Sequence, residues 1–170
     1  MTRWAGEMEF EFIDEGGEGG GSFVATDKLV QFLRTHLAKG EIDFAVRLYE
    51  DAGAAVGASL IEEAKTASSS SQKHLAEMFQ GARDFKSAAQ VYEIARQHEL
   101  AGQFYEQAQD FASAARCFEQ LGNFVRAGQA YERAGQMPQA RANYEKAGPS
   151  DALAECLARQ NHFLDAAGIY

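Results

Sequence analysis

The chain has 170 residues, 46% of them hydrophobic, and a net charge of −9 at neutral pH. That length suits one domain with a sizeable core. The acidic balance excludes the basic stripe that nucleic acid requires, and no apolar run reaches the roughly 18 residues of a membrane span.

Residues 1–25 set six acids (Glu7, Glu9, Glu11, Asp14, Glu15, Glu18) against Arg3, a net −5 that leaves only −4 for the rest. This acidic tail does not read as a secretory signal. Within it EMEFEFIDE alternates acids with Met8, Phe10 and Phe12, a strand period. GGEGGGS then reads as a tether. The expectation is an extended linear motif anchored by Trp4, Met8, Phe10, Phe12 and Ile13, which adds to a partner as a strand or lies in its groove. A disordered solubilising extension is the alternative.

From residue 26 the signals are helical. TDKLVQFLRTHLAKG places Leu29, Phe32, Leu33, His36 and Leu37 on one side, with Thr26 as expected N-cap and Gly40 as stop. Residues 41–53, EIDFAVRLYEDAG, complete a helical hairpin. The stretch 54–82 carries one continuous apolar stripe from Val56 to Ala82, interrupted by serines at 68–71. Serine favours caps over helix interiors. Two collinear helices with a kink or turn at 68–71 are expected, and one long helix is the alternative.

From residue 71 onward the chain repeats every 13 residues. DFKSAAQVYE at 84 and DFASAARCFE at 110 are two copies 26 residues apart, and intervening blocks begin at 71, 97, 123, 136, 149 and 162. Counting within each block, position five is small (Ala88, Ala101, Ala114, Ala127, Ala140, Ala166). Position nine is aromatic (Phe79, Tyr92, Tyr105, Phe118, Tyr131, Tyr144) or, in the last block, Tyr170. Position twelve is mostly Ala (Ala82, Ala95, Ala108, Ala134, Ala147). Steps of four and three put these on one helical face, joined by Phe at position two. Gly53, Gly122, Gly135 and Gly148 at position thirteen are expected left-handed stops, and Asp84, Asp110 and Asn123 expected N-caps. A helix of about ten residues is marginal alone and must stack on its neighbours. Glutamate recurs at position ten, where a solvated edge is expected. Cys117 and Cys156 both fall at position eight and read as core, reduced thiols of a cytoplasmic protein. The four histidines (His36, His74, His98, His162) have no metal-ligand spacing, and no catalytic or phosphate-binding motif appears. No metal, cofactor or enzymatic activity is expected.

Ala101-Gly102-x-x-Tyr105 and the set Ala114, Phe118, Leu121 resemble the first and second helices of the tetratricopeptide repeat, with Leu121 in place of the family's alanine. The family's repeat is about 34 residues. This one is 26, more like the short solenoids of trafficking coats. The resemblance covers residues 26–170 and implies an all-α, right-handed α-α superhelix of short antiparallel hairpins. Blocks 71–83, 97–109, 123–135 and 149–161 become A helices, and the last repeat, ending at Tyr170, is incomplete, as in a longer protein. It also implies a groove lined by positions three, seven, ten and eleven of the A blocks: Lys73, Glu77, Gln80, Glu99, Gln103, Glu106, Gln107, Gln129, Glu132, Arg133, Asp151, Glu155 and Arg159. Acids outnumber bases there, and the Lys/Asn carboxylate clamp of some family members is missing. The expectation is a non-catalytic interaction scaffold for a neutral or basic peptide or helix segment, with neither nucleic acid nor membrane insertion. The alternative is an assembly or regulatory module whose acidic tail docks onto its own or a neighbouring solenoid, including a homo-oligomer.

Overall fold

The turn between consecutive helices sets the architecture. In the computed structural model, which describes residues 21–52, 54–149 and 151–159, position thirteen takes a left-handed backbone at Arg83 (φ 58°), Arg96 (58°), Gln109 (60°), Gly122 (74°) and Gly135 (73°). That reversal lets the next residue donate its N–H back to the carbonyl of position nine: Asp84 to Phe79, Gln97 to Tyr92, Asp110 to Tyr105, Asn123 to Phe118 and Gln136 to Tyr131, each at 2.8–2.9 Å. This is the Schellman closure. The same donor residue then caps the following helix. Oδ1 of Asp84, Asp110 and Asn123 accepts from the N–H of Ser87, Ser113 and Arg126. One residue thus ends one helix and starts the next, which is why the turn needs only three residues and the unit is 13 long. Pro149 occupies the donor position after α9 and has no N–H to give. There the helix ends differently, with Gly148 at φ 95°.

The described residues form ten helices and no strand: α1 (Gly21–Ala38), α2 (Ile42–Ala52), α3 (Ala54–Ala64), α4 (Ser69–Gly81), α5 (Phe85–Ile94), α6 (His98–Gln107), α7 (Phe111–Gln120), α8 (Phe124–Arg133), α9 (Met137–Ala147) and α10 (Asp151–Arg159). From α4 to α10 each helix packs on the one before and the one after. Position five is fully buried at Ala88, Ala101, Ala114, Ala127 and Ala140, and position nine is buried from Phe79 to Tyr144. Ala166 and Tyr170 lie outside the described residues.

Position twelve departs from expectation. It is the C-cap of its helix at Ala82, Ala95, Ala108, Leu121 and Ala134, half-buried except at Leu121, and at Ala147 it is the exposed last residue of the helix. The core row is completed instead by positions six and eight, among them Ala76, Ala89, Ala115, Met78, Val91, Cys117, Ala130 and Cys156. Helices of only ten residues end before position twelve can turn inward. Gly102 and Gly128 at position six make room for the position-nine ring of the next helix. A Cβ on Gly102 would lie 2.5 Å from Phe118, and one on Gly128 2.5 Å from Tyr144.

The front of the chain is where the alternation breaks. α1 begins at Gly21, five residues ahead of the expected cap Thr26. The stretch 54–82 is two helices, and its turn falls at 65–68, ahead of most of the serines. Ser68 caps α4 by accepting from the Ser71 N–H, and Gln72 reaches back to the Ala64 carbonyl at 2.8 Å. The inserted helix is α3. It packs on α1 and α5, while α2 reaches past it to α4. Tyr49 on α2 stacks edge-on against Phe79 at 5.1 Å and donates its hydroxyl to Asp84 at 2.7 Å. α2 therefore takes the place of a preceding B helix for α4. Among the described residues no helix is long and apolar enough to cross a membrane.

Candidate functional site

Helices α4, α6, α8 and α10 correspond to the A blocks, and their polar positions were the predicted groove. α6 and α8 are tied side by side along this face. Arg126 reaches Glu99 at 2.5 Å and Glu106 at 3.3 Å, and Arg133 reaches Glu106 at 3.4 Å. Both guanidinium groups also lie 4.0 Å over rings of α7, Arg126 over Phe118 and Arg133 over Phe111. The aromatic floor and the carboxylates fix each arginine from two sides. Gln103 donates to Glu99 at 2.8 Å. That hydrogen bond, then those from Arg126, hold the Glu99 carboxyl below its ordinary range. The structure thus brings Glu99, Gln103, Glu106 and Arg133 together. Arg126, which organises them, was missed from sequence. The available signal was the spacing: Glu99–Arg126 and Glu106–Arg133 are each separated by 27 residues, one two-block repeat plus one residue.

Gln107 and Gln129 are exposed on the same two helices. On α4, Lys73 and Glu77 pair within the helix at 3.8 Å. Asp151 and Glu155 are exposed on α10. The side chain of Arg159 and all of the tail anchors Trp4, Met8, Phe10, Phe12 and Ile13 lie outside the described residues.

Position ten forms a seam on α5 to α8, where Glu93, Glu106, Glu119 and Glu132 are half-buried, and remains a solvated edge at Glu50 and Glu145, which are exposed. The tyrosine hydroxyl at position nine of one helix reaches position ten of the preceding helix, 12 residues back: Tyr105 donates to Glu93 at 2.7 Å, Tyr131 to Glu119 at 2.9 Å and Tyr144 to Glu132 at 2.9 Å. At the equivalent place Gln80 meets Tyr92 with the roles reversed, its amide N–H donating to the hydroxyl. Where position nine is Phe118 and has no hydroxyl, Glu106 is left for the two arginines. Burial, then the hydrogen bond to the glutamate and its charge, pushes the Tyr131 phenol up to about 12 and the Tyr105 phenol higher still. Gln80 and Glu132 are therefore half-buried structural partners within the predicted groove set.

The remaining chemistry-bearing groups point inward. Burial raises the Cys117 thiol to about 11, so its reactive thiolate is scarce at neutral pH. His74 Nδ1 lies 2.8 Å from the Leu37 carbonyl. His36 pairs with Glu41 between the rings of Phe32 and Phe44. Among the described residues no group of three His, Cys, Asp or Glu is placed to hold a metal ion. No family model, no curated protein and no solved structure matches this chain.

Proposed function

We propose that this chain is a non-catalytic protein-interaction scaffold, a right-handed tetratricopeptide-like superhelix working in the cytoplasm. The A-helix face receives a segment of another protein. The acidic tail, residues 1–25, is the second contact element. The observation that carries this reading is the joined face of α6 and α8. There the internal ion pairs fix two successive A helices side by side and leave the exposed amides of Gln107 and Gln129 for contact, beside the Gln103 amide that donates to Glu99. Because Glu99 and Glu106 are already answered by arginines, amide recognition of a neutral extended or helical segment is favoured over a strongly basic one.

The test is to pan a displayed random-peptide library against the immobilised full chain. Enriched peptides should share a motif and lose binding to the triple variant Gln103→Ala, Gln107→Ala, Gln129→Ala, whose helical circular dichroism stays unchanged. Enrichment no better than against an unrelated helical protein contradicts the reading, as does binding indifferent to the triple variant.

A further inference from the structure

The opposite side of the solenoid holds a groove of about 490 Å³ where α3, α5 and α7 meet, within the size range of ligand clefts. Its lining includes the apolar side chains of Ile61 and Ile94 and the cations of Lys65, Lys86 and Arg116. The acids in it are already engaged. Glu93 accepts from Tyr105, Asp110 from the Ser113 N–H, and Glu62 pairs with Lys65 at 2.7 Å. Lys86 and Arg116 form no ion pair among the described residues, and Arg116 meets only the Ser113 hydroxyl, at 3.0 Å. The groove therefore offers an apolar surface and two cations without a carboxylate.

We propose that this groove is the docking site of the chain's own acidic N-terminal segment, residues 7–15. The proposal rests on the tail being a contact element, as in the reading above. Two observations select this occupant. The first is complementarity: Met8, Phe10 and Phe12 alternate with Glu7, Glu9 and Glu11, so the segment carries both apolar groups for Ile61 and Ile94 and carboxylates for Lys86 and Arg116. The second is reach. The segment joins α1 at Gly21, and the end of α3 that lines the groove lies beside the C-terminal half of α1 through the Arg34–Glu63 pair, about 20 Å along α1 from Gly21. The nine residues from Phe12 to Gly21 span up to about 30 Å when extended. Docking there leaves the A-helix face open, so one chain holds its tail on the B side and its partner on the other.

Hydrogen exchange of the full chain tests this. Residues 7–14 should exchange more slowly than random coil at low salt, and the protection should fall as salt screens the contacts. The pair Lys86→Glu, Arg116→Glu should abolish it, and adding Glu9→Lys, Glu11→Lys should restore it. Both cations lie on the surface, and unchanged helical circular dichroism shows that the body is intact. Random-coil exchange of residues 7–14 in the native chain overturns the proposal and leaves the A-helix reading to its own peptide test. Protection that survives the charge reversal also overturns it, since the tail then binds elsewhere while remaining a contact element. Protection that disappears on dilution assigns the contact to a second copy and overturns the intramolecular form.

Discussion

Tyr131 shows how one side chain serves two helices. Its ring fills the space beside α7, and its hydroxyl reaches back to Glu119. Removing the ring in Tyr131→Ala deletes a buried aromatic, an expected loss of about 3–5 kcal/mol. Tyr131→Phe removes only the hydrogen bond and should cost about 0.5–1.5 kcal/mol. Urea midpoints separate the two, and equal losses would mean that the hydroxyl, not the ring, carries the contact. The hydroxyl also sets a pH dependence. The folded chain holds the Tyr131 proton to about 12, whereas an unfolded tyrosine releases it near 10. Above about pH 10 the unfolded state binds fewer protons than the folded one, so stability falls as pH rises. The urea midpoint should drop between about pH 10 and 12, the range set by those two values, and Tyr131→Phe should flatten that drop. Gly128 gives the complementary test. On helix propensity alone Gly128→Ala gains up to about 1 kcal/mol, but its Cβ would meet the Tyr144 ring at 2.5 Å. The account expects Gly128→Ala to lower the melting temperature and Gly128→Leu to lower it further, by about 1–3 kcal/mol of overpacking. A higher melting temperature for either variant would show that the ring moves aside freely.

At the scale of the element, the 13-residue period was legible because every part of it leaves a residue-type signature. Small residues stand at position five, rings at nine, capping acids or Asn at one and glycines at several thirteenth positions. What was not legible follows from the same turn. Arg83, Arg96 and Gln109 adopt the left-handed backbone without being glycine, because the closure from position one to position nine over-determines it. Their residue types give no hint of that. A left-handed conformation costs a non-glycine residue about 1–2 kcal/mol, so Gln109→Gly should raise the melting temperature, while Gly122→Ala should lower it. A rise for Gln109→Gly with a fall for Gly122→Ala is the prediction; a fall for Gln109→Gly with a rise for Gly122→Ala would place the glycine entropy cost above the strain. Position twelve was misjudged because its alanines continue the apolar stripe in sequence although the helix has already ended. The insertion of α3 was hidden for a similar reason. Its stripe runs into that of α4, and only the Ser68 cap separates them.

For the whole molecule, helix packing from α4 to α10 joins sequence neighbours, with side-chain ties that reach one helix further at Arg126–Glu99 and Asn143–Glu119, so stability is approximately a sum of unit and near-neighbour terms. Such an array keeps two long faces. The A face on α6 and α8 is tied by Arg126 and Arg133, with Gln107 and Gln129 exposed. The B face holds the groove bounded by α3, α5 and α7, where Lys86 and Arg116 form no ion pair among the described residues. The positions of the groove residues on alternate helices were legible from the repeat. The arginine ties were not, because they depend on lateral distances between helices that no local pattern encodes. The most direct measurement of the scaffold claim is amide hydrogen exchange of the full chain with and without a peptide obtained by panning. The account predicts added protection on α6 around Gln103–Gln107 and on α8 around Gln129–Arg133, with α5, α7 and α9 unchanged. Added protection confined to α5, α7 and α9, or none at a saturating peptide concentration, would contradict it.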